Sequence, residues 1–295
     1  MPWRQIIAER ELEMKHTLNN KTLSIEVDEF GAEVVSVKVN GVERQWQNPT
    51  GEWAGHAPLL FPVCGHFGVT VDGKQYPIKA HGFAKRKPFV CTDKGENFLT
   101  FALSADDETR AVYPYEFVFL VTYKIEGNTL SIEYVVENKG DKPLYFACGG
   151  HESFDFGYDV DGYEIEFEKD ERFTHVCHDD GGYLTGETLD FGKGKTFYPP
   201  SSYMQGGATV IFKDIHSRKV TLKRRGGEAL AEITFDGFSN LLIWREETAK
   251  YLCIEPWTNL PDYAGVADKE FSQKDGVIAV AVGEKKKLVR TVTYL

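Results

Sequence analysis

The chain contains no apolar run near the roughly 18 residues that cross a bilayer as a helix, no Cys-x-x-Cys pair, no basic stretch longer than three residues and no proline-rich or low-complexity linker. Each gap removes a class of protein. The five cysteines, Cys64, Cys91, Cys148, Cys177 and Cys253, are odd in number and widely spaced, which reads as free thiols in a reducing compartment rather than a disulfide frame. The longest basic stretches are Lys85-Arg86-Lys87, Lys223-Arg224-Arg225 and Lys285-Lys286-Lys287, and the formal net charge is -11. Neither nucleic acid nor an anionic membrane is expected as a partner. An anionic small molecule stays open, because one or two local cations outweigh a remote acidic field at contact distance. The first ten residues are charged too early and too often for a secretory signal. The expectation is a soluble cytoplasmic protein, monomer or homodimer.

What the chain does have is a strand pattern. Its 295 residues, 42% hydrophobic and 13% aromatic, suffice for one large all-β domain or two small ones. With no linker and no repeat of 20–50 residues, one domain over residues 1–295 is the simpler reading, with 1–15 as an N-terminal extension. Residues 4–13 read as a short helix. Beyond them, short runs rich in Val, Ile, Tyr, Phe and Thr alternate with period two between turn residues. Asn40-Gly41 and Asp72-Gly73 are the dipeptides that type I′ hairpins demand, and Gly127-Asn128 and Gly226-Gly227 mark two further hairpins. So many strands would curl or split if kept in one open sheet. The fold class expected is therefore all-β, a large antiparallel two-sheet sandwich with few short helices.

Three segments set a residue suited to proton transfer beside glycine and aromatics: His81-Gly82-Phe83, Gly149-Gly150-His151-Glu152-Ser153-Phe154 and Ile254-Glu255-Pro256-Trp257. Glycine lets the backbone approach a ligand or take positive φ, and an aromatic face suits the C–H face of a pyranose. Glu255 precedes a proline, which favours extended geometry, so it ends an apolar strand at the start of a loop. Other clusters are weaker. His175-x-x-His178, with Cys177, Asp179 and Asp180, holds metal-ligand residue types, but the two histidines fall on opposite faces of a strand and no second cluster follows. Asp159-Val160-Asp161-Gly162 lacks the distal Glu of a calcium loop. No metal or other cofactor is expected.

These residues resemble the aldose 1-epimerases, or galactose mutarotase-like proteins, and in particular their LacX-like branch. Phe30-Gly31-Ala32-Glu33-Val34-Val35-Ser36 is similar to the branch's Gly-Ala-Glu-Leu-x-Ser, and Trp53 to Gly65 to its Trp-x-x-x-x-Pro-x-Leu-Phe-Pro-x-x-Gly. Asp72-Gly73-Lys74-Gln75-Tyr76 and His81-Gly82-Phe83-Ala84 resemble its Gly-Lys-x-Tyr and His-Gly-Phe-Ala-Arg elements. Gly149-Gly150-His151, then Ile243-Trp244 and Ile254-Glu255-Pro256-Trp257, resemble its later elements in the same order. The resemblance implies a β-supersandwich that interconverts α and β anomers of a hexose or hexose phosphate. It carries Glu255 over as the base that takes the anomeric proton, His151 as the acid at the ring oxygen, and His81 as a second substrate-binding histidine. Trp257, Trp53, Phe154, Lys85 and Arg86 are the remaining expected substrate contacts. Both steps move protons between oxygens, so a carboxylate and an imidazole suffice.

The chain departs from the branch at three places. His-Pro becomes His151-Glu152, which sets a carboxylate next to the expected acid. Lys85 stands in the arginine slot after His-Gly-Phe-Ala, with Arg86 following. Gly207-Ala208-Thr209 stands where the branch often has Asp-Ala-Leu, so a substrate-binding acid is missing. The first and third departures motivate an alternative, a non-catalytic carbohydrate-binding or sensory protein on the same fold. A glycoside-processing enzyme would need two opposed carboxylates, and Glu152 with Glu255 is the pair to examine. A phosphosugar would need a fixed cation at the pocket mouth, for which Lys85, Arg86 and Arg245 are the candidates.

Overall fold

The hairpin dipeptides shape the backbone as their chemistry requires. Asn40 and Gly41 lie at φ 49° and 81°, Asp72 and Gly73 at 54° and 74°, and each pair links strands in register at Val39–Val42 and Val71–Lys74. Both are two-residue turns with positive φ at each centre, as type I′ demands. At Gly127-Asn128 only the glycine has positive φ, between partners Glu126 and Thr129, which gives the type II′ variant. Near Gly226-Gly227 the loop is longer: Arg224 N–H reaches the Glu228 carbonyl at 3.0 Å, beside a bulge between Leu222 and Lys223.

These elements come from a computed structural model, which describes residues 14–247, 249–265 and 269–295. The helix expected over 4–13 lies outside the described residues. The architecture is all-β and antiparallel. Thirteen strands belong to one sheet, in the order Glu152–Phe154, Leu252–Trp257, Asn240–Trp244, Val210–Phe212, Tyr163–His178, Lys219–Arg224, Ala229–Thr234, Lys285–Tyr294, Thr129–Asn138, Phe117–Glu126, Phe98–Ser104 and Val90–Lys94, with Leu184–Phe197 pairing to Tyr163–His178 off that path. Lys15–Asn19, Leu23–Asp28, Glu33–Val39 and Val42–Glu43 form a separate four-stranded sheet. The only α-helix among the described residues, Asp107–Val112, starts at Asp106, whose side chain caps the Thr109 N–H at 2.6 Å.

One apolar cluster serves both ends of the path and the four-stranded sheet. Phe119 and Tyr134 belong to it together with Phe154, Phe238 and Val27. Phe117–Glu126 and Thr129–Asn138 alternate buried residues with half-buried or exposed ones along their length, so one face of each meets this core. Leu252–Trp257 is different: all six residues are buried. One of its faces meets the core, and the other is covered by loops that form the wall of a cleft.

Candidate functional site

Register decides which residues face that cleft. In an antiparallel pair, directly opposed residues share a face, and neighbours along a strand alternate. Glu255 lies opposite Leu242, and Leu242 opposite Ile211. Alternation then adds Cys253 and Trp257, with Trp244 opposite Cys253. Glu152 and Phe154 lie opposite Ile254 and Leu252 and so turn to the other face, whereas His151, one residue earlier, returns to the side of Glu255.

The cleft measures about 740 Å³. Its lining includes seven of the eight expected site residues: Glu255, His151, His81, Trp257, Trp53, Lys85 and Arg86. Phe154 is the exception and a correction. Its ring is 1% exposed and packed in the core against Tyr294, because strand parity points it away from Glu255. Arg245 is a second correction. It is buried, Nη1 donates to the Ala249 carbonyl at 3.2 Å, and it does not line the cleft.

At the floor, His151 Nε2 lies 3.3 Å from Glu255 Oε2. Both side chains are buried, and His151 Nδ1 and Glu255 Oε2 have no hydrogen-bond partner among the described residues. Trp53 stacks on the imidazole at 5.1 Å and 27°, and Trp244 meets it edge-on at 5.5 Å. The segment that carries Trp53 is anchored by Glu33, whose carboxylate accepts the His56 and Ala57 N–H groups at 2.6 and 2.9 Å.

His81 enters from a loop. Its backbone φ is 62° and that of Gly82 is 68°. A Cβ on Gly82 would come within 2.0 Å of the Phe61 carbonyl oxygen, so only glycine allows this crossing. The Gly65 N–H donates to His81 Nδ1 at 3.1 Å. In the neutral ring the proton then sits on Nε2, which makes His81 a donor. Its ring lies 5.9 Å from that of His151 and 5.3 Å from that of Trp257.

Burial governs the protonation of these groups. Glu255 is held well above the usual carboxylate range by desolvation and by the charge of Glu152, with Lys85 opposing. Desolvation and Lys85 pull His151 down to about 3, and the same two causes hold His81 well below the usual imidazole range. Desolvation and the neighbouring Arg86 pull Lys85 down to about 8, against the charges of Glu33 and Glu255.

Glu152 faces neither His151 nor solvent. It pairs with Arg290, which is 1% exposed and donates from Nε and Nη2 to the Tyr134 hydroxyl at 3.0 and 2.6 Å. A Cβ on Gly150 would fall 2.3 Å from Arg290 Cζ, so this glycine lets the His151 segment lie directly on the guanidinium.

Six further polar residues line the cleft: Glu33, His66, His178, Asp180, Thr209 and Glu246. His178 and Asp180 belong to the segment 175–180, whose residue types suit a metal. A register shift between Val176 and His178 breaks the alternation, so strand parity alone did not place His178. His175 is instead tied up, accepting the Ile211 N–H at 2.9 Å and meeting the Tyr203 hydroxyl at 2.5 Å. Glu246 Oε2 lies 3.8 Å from where a Cβ on Gly207 would stand. The cleft therefore has a carboxylate beside the position whose acid was missing, and it follows Ile243-Trp244 by two residues. His151, Cys253 and Glu255 are the metal-ligand group found among the described residues, with donor atoms within 4.8 Å of one another, and two of the three are the pair at the floor. No helix among the described residues is long and apolar enough to cross a membrane.

The family model for aldose 1-epimerase matches residues 14–286. Protein LacX of Lactococcus lactis subsp. lactis, in its plasmid form, is 27% identical over 265 residues, covering 82% of this chain and 87% of that protein. A galactose mutarotase related enzyme from Lactobacillus acidophilus superposes with a TM-score of 0.86 at 25% identity, covering 96% of this chain and 97% of that one. A galactose mutarotase-like protein from Lactobacillus casei ATCC 334 gives 0.88 at 26%, covering 96% and 100%.

Proposed function

The chain belongs to the aldose 1-epimerase family, and from that membership we propose that it interconverts the α and β anomers of a hexose or hexose phosphate by acid–base ring opening and reclosure. The observation that carries this is the Glu255–His151 pair, 3.3 Å apart and buried at the floor of an aromatic-walled cleft. In the opening step Glu255 takes the proton from the anomeric hydroxyl, C1=O1 forms and the C1–O5 bond breaks. Its electron pair stays on O5, which takes a proton from His151. Rotation about C1–C2 and the reverse proton transfers close the ring on the other face.

The pair holds one proton throughout. The minor form of the pair, a carboxylate with an imidazolium, becomes the major form, a carboxylic acid with a neutral imidazole, so ring opening from the minor form discharges two buried charges. Desolvation favours that direction for both groups, making Glu255 a stronger base and His151 a stronger acid than either is in water. Each such group typically supplies about 10²–10⁴-fold. His81, neutral with its proton on Nε2, donates a hydrogen bond to the sugar, and Trp53, Trp244 and Trp257 meet its apolar face. Lys85 and Arg86 are the cations in the cleft that a phosphate would meet.

Glu152 no longer favours a non-catalytic reading, since its charge is committed to Arg290. It also removes the glycosidase pairing, because Glu152 and Glu255 face opposite sides of one sheet. The test is α/β exchange by saturation-transfer NMR on glucose, galactose and their 6-phosphates, with wild type and Glu255→Gln. Acceleration that disappears in the variant is the expected result. Sugar-induced thermal stabilisation without any acceleration would overturn the reading in favour of a binding protein.

A further inference from the structure

Lys85 is out of place for a lysine. It is half-buried, it lines the cleft that holds Glu255, and among the described residues its Nζ has no hydrogen-bond or ion-pair partner. Four groups in the cleft feel its charge: Glu33, Glu255, His81 and His151. It also occupies a position where the resembling sequences carry a guanidinium. An amine and a guanidinium are equivalent as cations but not as nucleophiles, since only the amine adds readily to a carbonyl.

This matters because of what is made in the same cleft. On the reading above, each turnover generates a ring-opened aldose, an aldehyde scarce in free sugar solutions, within the pocket that Lys85 lines. We propose that Lys85 is a site of covalent capture, at which the ε-amine condenses with the C1 aldehyde of the ring-opened substrate. This inference rests on the proposed ring-opening activity. The Nζ lone pair forms a bond to C1, and the carbonyl π electrons pass to O1, which is protonated to give a carbinolamine. O1 then leaves as water and C1=N forms. Hydrolysis reverses the sequence. Alternatively, C2 loses its proton to a carboxylate of the cleft, Glu255 or Glu33, and C1 gains one, leaving a ketoamine isomeric with the imine. Atoms and electrons balance without an oxidant.

The half-buried setting beside Arg86 keeps an appreciable share of the amine uncharged. With the ammonium pulled down to about 8, about a tenth is free base at pH 7, against about 0.04% for an ordinary lysine.

The experiment separates the amine from the ring opening by using two aldehydes. D-Glyceraldehyde needs no enzyme to expose its carbonyl, and a hexose does. Each is incubated with the protein and cyanoborohydride at pH 7, and the reduced adducts are mapped by peptide mass spectrometry in wild type, Lys85→Arg and Glu255→Gln. The expected result is glyceraldehyde labelling at Lys85 at least about tenfold above the exposed Lys38, lost in Lys85→Arg and retained in Glu255→Gln. Hexose labelling of Lys85 is expected in wild type and at least about tenfold weaker in Glu255→Gln. If glyceraldehyde labels Lys85 no more than Lys38, the proposal is wrong whatever the enzyme does. If hexose exchange is accelerated but Lys85 is not labelled by hexose, capture is overturned and the mutarotase reading stands. If hexose labels Lys85 equally in Glu255→Gln and exchange is not accelerated, both ring opening at Glu255 and capture of its product are overturned.

Discussion

Glu152 and Arg290 form a buried ion pair directly behind the cleft, on the opposite side of the sheet from Glu255. The pair is structural in its contacts and electrostatic in its reach, because the charge of Glu152 is one cause of the raised proton affinity of Glu255. Glu152→Gln should act on both. It leaves the guanidinium buried without its counter-charge, which typically costs about 3–5 kcal/mol, read as a lower midpoint in urea unfolding. It also removes a charge that raises Glu255, so the alkaline limb of the pH–rate profile should move to lower pH. A limb that stays in place would remove Glu152 from the tuning of the base.

The pH dependence has a definite sign. The single-proton state of the Glu255–His151 pair is lost upward when Glu255 ionises and lost downward when His151, pulled to about 3, takes a second proton. On the acid side, activity should therefore persist well below pH 6.5, the ordinary imidazole pKa, and fall only as the pH approaches about 3. An inflection near 6.5 in kcat/KM would contradict the buried pair as the working unit.

Glu255→Gln should stabilise the fold while abolishing exchange. The folded pKa of Glu255 is raised, so this residue favours folding only at low pH, and the benefit is lost as pH rises above the unfolded value of about 4.5 toward the folded one. The gain from Gln should be larger at pH 8 than at pH 4, where the carboxyl is protonated in both the folded and the unfolded chain. Thermal melts at the two pH values check this, and a lower Tm at pH 8 would count against it.

Glu246 is expected to hold the sugar rather than move its protons. Glu246→Ala should raise KM by about 10- to 150-fold, the equivalent of about 1.5–3 kcal/mol for a lost hydrogen bond to a charged group, with kcat changed far less. Steady-state kinetics at saturating sugar separate the two. A fall in kcat alone would assign Glu246 to the chemistry.

Gly82→Ala should remove activity through His81. The added Cβ would sit 2.0 Å from the Phe61 carbonyl oxygen at a backbone φ of 68°, so the loop must shift, at about 1–3 kcal/mol in strain. Restored stability without restored turnover in a second-site revertant would be consistent with a displaced imidazole.

The sequence made the sandwich legible because hairpin chemistry is local: Asn40-Gly41 and Asp72-Gly73 force their turns whatever surrounds them. Glu255 and His151 were legible through motif order, and the structure adds the pairing that puts both on one face. Phe154, expected as a substrate contact, is sent to the core by alternation from His151 through Ser153, which only the register with Leu252 reveals. Register is a long-range property and is not written in the local sequence. His178 was hidden by a bulge, and Glu246 by distance, since its closeness to Gly207 joins residues nearly forty positions apart. Arg245 follows the cleft residue Trp244 directly, and alternation turns adjacent residues to opposite sides.

The strand Lys285–Tyr294 bridges the large sheet, pairing with Thr129–Asn138 on one side and Ala229–Thr234 on the other. Every cleft residue is encoded before it, yet the halves of the path are hydrogen-bonded through it and Arg290 comes from it. Assembly of the cleft must therefore wait for synthesis of this strand. Until it docks, the Ala229–Thr234 and Thr129–Asn138 strands each present an open edge, the kind of surface chaperones cover and aggregation exploits. Chains cut before residue 285 should accumulate as misassembled protein rather than as a weakened enzyme.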